Sequence, residues 1–373
     1  MTILSFAPNL LAWYDNHGRH DLPWQRDPTP YRVWISEIML QQTRVVTVIP
    51  YFERFTARFP EIDRLAAAPL DEVLALWSGL GYYARARHLH RAAGEVITRY
   101  GGRLPADHDA LCTLPGIGRS TAAAILTLAM GARHAILDGN VKRVLGRYHA
   151  ILGWPGSPEI ERQMWTLAEF HTPHHRADAY TQAIMDLGAT LCSRTRPACV
   201  RCPVADHCQA FALNRPADFP GARPRHAVPV REITFVLLLN PSGAVLLERR
   251  PPSGIWGGLW TFPECPPNEN PVSWLLHTRG LITKPLFAWE PLRHTLTHLH
   301  LDITPWLGRV QNTVTSSRDF PSEQKEAIAG DATLWYNPHD VPPGGLAAPV
   351  ARLLARLNTS GLSSTSEQNT IPR

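Results

Sequence analysis

No stretch of the 373 residues approaches the ~18–20 uncharged apolar residues that a membrane-spanning helix needs. The first nine residues carry no basic segment ahead of an apolar run, so a secretory signal is not expected either. Charge is sparse: Asp, Glu, Lys and Arg make up 18% of the chain, which excludes a highly charged disordered polymer. Cysteine is scarce too, with six residues, but four of them crowd into positions 192–208. In a reducing compartment such crowding points to a metal centre over disulfides. The expectation is a protein of the cytoplasm, nucleoid-associated if prokaryotic, with no membrane partner. Against these absences, 44% of residues are hydrophobic, enough for a sizeable core. The length exceeds one ordinary compact domain and suggests two. The net charge of +5 suits an anionic partner without specifying one.

Residues 1–214 read as helical. Trp34, Ile38, Gln41 and Val45 share a face, and the apolar run Ala122–Met130 ends on Gly131, a helix C-cap. Residues 215–229, rich in proline and basic side chains, predict an extended linker. The pattern then changes. Ile233–Leu239, the turn Asn240-Pro241-Ser242-Gly243 and Ala244–Leu247 predict a β-hairpin. Ala347–Leu357 predicts a closing helix with Pro349 in its first turn. An α+β domain over 230–357 and a polar, disordered tail over 358–373 complete the expectation.

Cys192, Cys199, Cys202 and Cys208 form C-x6-C-x2-C-x5-C. Four thiolates can hold a [4Fe–4S] cluster or a tetrahedral zinc, and the single C-x2-C knuckle favours the cluster. Arg194, Arg196 and Arg201 within this loop are placed to meet phosphates. Leu114-Pro115-Gly116-Ile117-Gly118 lies between two helical segments. Gly116 and Gly118 permit tight geometry, and the amides at the next helix start, with Arg119, can face a phosphate. The segment reads as a helix-hairpin-helix for sequence-independent DNA contact. Asp138 precedes another helix. It can serve as its N-cap and, near a helix start, is expected to stay ionised. In Val33–Thr43 a helix apolar nearly all round carries Glu37, whose carboxyl is expected to hold its proton near neutrality and so suits a general acid.

The hairpin, the downstream Asp138 and the four-cysteine loop occur in the order of the helix-hairpin-helix base-excision DNA glycosylases, which the chain resembles. Ser120 stands where the endonuclease III-like lyases carry a Schiff-base lysine. Glu37-Ile38-Met39-Leu40-Gln41-Gln42-Thr43 and Gly79–Arg87 resemble the adenine glycosylase branch. The resemblance implies a multidomain fold: an all-α glycosylase domain with an iron-sulfur loop, then an α+β Nudix-like domain. It implies one [4Fe–4S] cluster per chain, a monomer, and double-stranded DNA with 8-oxoguanine:adenine or guanine:adenine mispairs as partner. Glu37 would protonate the leaving adenine, and Asp138 would stabilise the oxocarbenium ion, with Asn140 orienting it. Water would complete hydrolysis directly or through an Asp138 adduct. Gln42, Leu80 and Tyr82 would part the stack, Arg143 would join the DNA contacts, and Trp24, Arg26 and Gln182 would line the adenine pocket. Arg249–Pro263 resembles the Nudix-like domain of the same branch, but Glu264–Thr278 lacks the dense glutamate box of a working Nudix hydrolase. Arg293–Asp302 resembles its 8-oxoguanine-sensing segment. There Thr297 and His298 are retained and Leu296 replaces the usual aromatic; the alternation of this stretch reads as a strand with one polar face. Two alternatives are a bifunctional glycosylase/lyase and a non-catalytic damage-binding protein. Cys112 and Cys265 have no assigned role.

Overall fold

The computed structural model describes residues 5–224, 227–313 and 333–360. Most of the expected tail, from residue 361 on, lies outside the described residues. The chain divides into two compact units, Met1–Ala68 with Arg85–Arg225, and Pro69–Ala84 with His226–Arg373.

The first unit is helical. Its elements include α1 (Phe6–His17), α2 (Pro30–Leu40), α3 (Val45–Arg58), α4 (Ile62–Ala67), and, beyond a short helix α5 (Leu70–Leu76) that belongs to the second unit, α6 (Ala84–Tyr100), α7 (His108–Cys112), α8 (Arg119–Met130), α9 (Gly139–Tyr148), α10 (Pro158–His171), α11 (Ala177–Thr190) and α12 (Gln209–Ala212). Helix α2 begins where the sequence predicts: Thr29 Oγ1 accepts the Arg32 amide at 3.3 Å, and Pro30 supplies the first turn. Its end is built by a distant residue. Buried Arg85 donates through Nη1 to the carbonyls of Ile38, Met39 and Gln41 at 2.8, 2.7 and 2.7 Å. Its Nη2 donates to Thr43 Oγ1 at 3.1 Å. These are the carbonyls a helix leaves unpaired at its C-terminus, and the cation also complements the dipole there. The turn this holds contains Gln42 at φ +60°.

Helices α7 and α8 flank the expected hairpin. Gly116 takes φ +81°, a conformation that favours glycine, and a Cβ on it would crowd the His88 Cβ at 3.0 Å. Helix α8 ends on Gly131 at φ +70°, as expected. The core gathers Phe6 and Leu10 from α1, Val141, Val144, Leu145 and Tyr148 from α9, and Ala183, Ile184 and Leu187 from α11. Gly188 lets α11 approach the start of α9, since a Cβ there would meet the Asn140 Cβ at 2.6 Å. The stretch expected to be an extended linker is docked over its first half. Residues Pro216–Asp218 form a 3₁₀ turn, Phe219 is buried, and its carbonyl accepts from Arg147 Nε at 3.2 Å. Apolar burial of Phe219 outweighs the extended preference of its prolines.

The second unit is built on a mixed sheet: β1 (Val230–Leu239), β2 (Val245–Arg249), β3 (Trp260–Thr261), β4 (Glu264–Cys265), β5 (Leu281–Thr283), β6 (Phe287–Ala288), β7 (Leu292–Thr295), β8 (His300–Thr313) and β9 (Thr333–Tyr336). The predicted hairpin is present, with β1 antiparallel to β2 through Leu239 and Val245. Strand β1 also runs parallel to β8 from Val230–His300 to Leu239–Arg309. It is central, and Phe235 to Leu239 are buried without alternation, as a strand covered on both faces must be. Helices α13 (Pro271–Arg279) and α14 (Ala348–Thr359) complete the unit. Trp274 and Leu275 of α13 pack with Val236, Leu238 and Cys265. Residues 69–84, which the sequence places with the helical domain, fall here for physical reasons: Asp71 pairs with Arg249, and Tyr83 Oη donates to the Leu346 carbonyl at 3.1 Å.

Candidate active site

A cleft of about 1430 Å³ opens in the helical unit. Trp24, Glu37, Gln42, Ser120, Asp138, Asn140, Arg143 and Gln182 all line it. They come from four helices and their loops, separated by up to 158 positions in the chain (24 to 182).

Glu37 sits on α2 among Val33, Trp34, Ile38 and Met39, all buried. Its own surface is half-buried and opens onto the cleft. Removal from water raises its pKa from 4.5 to about 8, and the charge of Asp138 acts in the same direction. That electrostatic coupling and the shared cleft bring the two carboxyls onto one site. Asp138 is the N-cap of α9, where Oδ1 accepts the Val141 amide at 2.8 Å. Burial raises its pKa as well, opposing the ionised form that its place at a helix start favours. The opposing influences are specific to Asp138: the amides of Val141 and Asn140, and the cations Arg143 and Lys142. No such donors serve Glu37 among the described residues. Of the pair, Asp138 therefore gives up its proton first and Glu37 keeps its own.

The neighbours have defined tasks. Ser120 Oγ accepts the Leu137 amide at 3.0 Å and so fixes the residue before Asp138. Asn140 reaches Asp138 through its backbone amide. Its Oδ1 accepts instead from Arg143 Nη2 at 2.8 Å. Arg143, expected among the DNA contacts, spends its guanidinium on protein: Nη2 on the Gly188 carbonyl at 2.7 Å and Nε on the Cys192 carbonyl at 2.8 Å. One turn on, buried Arg147 donates to Ser193 O at 2.7 Å, Arg194 O at 3.0 Å and Cys192 Sγ at 3.3 Å. The two arginines tie the helix that Asp138 caps to the cysteine loop. Their i, i+4 spacing on α9 was the available signal.

Arg26 does not line the cleft; it is exposed and donates to the Asp21 carbonyl at 3.4 Å. Arg119 is occupied by Glu169 at 2.6 Å and by the Trp165 ring, 3.8 Å from centroid. In the second unit Tyr82 is 44% exposed at φ +49°, while Leu80 is 5% exposed. Thr297 and His298 are exposed in a turn between β7 and β8, closed by the Leu296 amide on the Leu299 carbonyl at 2.8 Å. The sequence places them on a strand. The hairpin forms because β7 pairs with β8 through Thr295–His300.

The four cysteine thiols face a small apolar cavity with Val144, Tyr148, Leu187 and Val204. They are within electrostatic reach of one another, and burial pushes the Cys202 thiol up to about 12. Among the described residues, no three His, Cys, Asp or Glu side chains converge tightly enough for a single metal ion. No helix among them is long and apolar enough to cross a membrane. Helix α13 carries no carboxylate, in keeping with the missing glutamate box.

Residues 35–170 match the model of the HhH-GPD superfamily of base excision DNA repair proteins, and residues 234–356 match the NUDIX domain. A thermostable thymine-DNA glycosylase of known structure matches at 28% identity with a TM-score of 0.52, over 57% of this chain and 97% of that one. Together with the cleft these define a helix-hairpin-helix base-excision repair protein carrying a Nudix-like unit. The adenine DNA glycosylase of Buchnera aphidicola (subsp. Baizongia pistaciae) is 37% identical over 96% of this chain and 98% of its own. The human adenine DNA glycosylase is 37% identical over 70% of this chain and 57% of its own. The chain belongs to the adenine DNA glycosylase family.

Proposed function

We propose that the protein hydrolyses the N-glycosidic bond of adenine opposite 8-oxoguanine or guanine in duplex DNA. The observation that supports it is the pairing in one cleft of a proton-holding Glu37 with a donor-rich Asp138. The cleft exceeds the ~300–1,000 Å³ of small-molecule pockets, as a groove admitting an extruded nucleotide should. Glu37 delivers its proton to the base, which leaves as a neutral purine. Positive charge then develops on the sugar, and Asp138, ionised, faces it. Among the described residues no lysine lines the cleft; Lys142 is held away by Glu161 at 2.7 Å, which favours hydrolysis over a lyase step. Single-turnover base release from a duplex with one 8-oxoguanine:adenine pair tests the proposal. Adenine release without borohydride trapping of the protein supports it. Trapping supports the bifunctional alternative, and binding without release supports a damage-binding protein.

The cysteine loop suits a [4Fe–4S] cluster. Four cysteines lining one apolar cavity fit a group in which each iron takes one cysteine. Cys192, Cys199, Cys202 and Cys208 would hold it, and Arg147 would donate to the Cys192 sulfur. Bound there, it would supply cross-linking of the loop that Arg143 and Arg147 grip.

The exposed turn at Thr297 and His298 is the proposed sensor of 8-oxoguanine. His298→Ala is expected to lower the ratio of adenine release opposite 8-oxoguanine to release opposite guanine by about tenfold, the loss of one or two base-edge hydrogen bonds. Single-turnover rates on the two duplexes measure it, and an unchanged ratio rejects sensing by this turn.

A further inference from the structure

Gln182 lines the cleft at 7% exposure, and its amide orientation is set from behind. Its Nε2 donates to Asp186 Oδ1 at 2.8 Å. Asp186 is wholly buried, and Arg19 holds it three times: Nη2 and Nε donate to Oδ1 at 2.6 and 3.0 Å, and the Arg19 backbone amide donates to Oδ2 at 2.7 Å. The Arg19 loop is fixed in turn, because its carbonyl accepts from Gln25 Nε2 at 2.9 Å, while Gln25 Oε1 accepts the Leu22 amide at 3.1 Å. A carboxylate paired with a guanidinium has only acceptors to offer. Gln182 must therefore turn its NH₂ toward Asp186. Its Oε1, which meets no donor among the described residues, is left for the cleft.

We propose that Asp186, locked by Arg19, is a specificity-positioning residue: it forces Gln182 to present a carbonyl acceptor to the extruded base, selecting one with an exocyclic amine over one with a carbonyl at the same place. This rests on the adenine-releasing function proposed above and deepens it. Adenine offers an N–H donor where hypoxanthine offers an oxygen. A fixed acceptor bonds the first and repels the second. A freely turning amide would satisfy either, since its two ends are nearly isosteric. Specificity of this kind comes from a buried polar group that the wrong ligand leaves unpaired.

Single-turnover release of adenine and of hypoxanthine, each opposite 8-oxoguanine, is measured for the full chain and for Asp186→Ala, Gln182→Leu and the double variant. Asp186→Ala should lower the adenine-to-hypoxanthine ratio about tenfold, on the scale of one base-edge contact. Gln182→Leu should lower it comparably, and the double variant should add nothing, because both changes remove one orientation. A ratio unmoved in Asp186→Ala, with adenine still released by the unaltered protein, overturns the positioning role and leaves the function standing. Should Asp186→Ala not fold, or should the unaltered protein release no adenine, the amide itself decides. In ¹⁵N-glutamine-labelled unaltered protein one side-chain NH₂ pair should be protected from solvent exchange and should vanish in Gln182→Leu. Absence of such a pair overturns the lock, whatever the activity.

Discussion

Glu37→Gln is expected to cut single-turnover adenine release about a thousandfold at neutral pH, within the ~10²–10⁴ that a positioned general acid contributes. Affinity for a mispaired duplex should change little, since glutamine keeps the shape of the protonated carboxyl but cannot release its proton. The pH profile carries the sharper signature. With its pKa near 8, Glu37 is loaded with a proton below that value and empty above it. Release by the unaltered protein should thus fall tenfold per pH unit above about pH 8, while the residual rate of the variant should lack that limb. Stability should fall with rising pH too, but over a lower window. Between 4.5 and about 8 the folded state binds a proton at Glu37 that the unfolded chain has lost. Stability therefore declines as pH rises through this window, and the decline is complete above it. The Glu37→Gln substitution removes the decline, so the variant should gain more in Tm at about pH 8.5 than at about pH 5. Unchanged release at neutral pH would remove Glu37 as the acid.

Much of this site is legible in the sequence because its chemistry is local. A carboxylate in an apolar helical run reads as a buried acid, and Asp138 before Gly139 reads as a cap. Thr29-Pro30 announces the start of α2, and Gly131 announces the end of α8. What escapes is what distant residues do to one another. Nothing local says that Arg85 closes α2 at 38–41, that Arg147 holds the cysteine loop, or that Asp186 orients Gln182. Each is a charged side chain that burial forces into several hydrogen bonds at once, and its partners lie 4 to 167 positions away. The same holds elsewhere. The charge of Arg119 and Arg143 is visible in the sequence, whereas the acceptors the fold brings to them are not. Thr297 and His298 read as strand because alternation is visible locally, whereas the turn is set by which residue of β8 meets Thr295.

Asp138 carries two roles that one substitution separates. As an N-cap it needs an oxygen for the Val141 amide, which asparagine also supplies. As the partner of a developing oxocarbenium ion it needs a negative charge, which asparagine lacks. Asp138→Asn should therefore fold with a stability within about 0.5 kcal/mol of the original, the cost of exchanging comparable caps. Base release should nonetheless fall by about three orders of magnitude, on the scale of losing a directed electrostatic contact in a water-poor site. The remaining activity should report on Glu37. Asp138 is one of the two causes that raise the Glu37 pKa, and burial is the larger. Neutralising position 138 therefore lowers that pKa only in part, and the alkaline limb of the residual rate should move below pH 8 without reaching the ordinary carboxylate range. Thermal unfolding and single-turnover rates across pH measure all three outcomes together. If the rate holds while Asp138→Ala alone loses stability, Asp138 is a helix cap and nothing more. If the rate falls but the alkaline limb stays in place, Asp138 still acts on the sugar, and the electrostatic link between the two carboxyls is the part that fails.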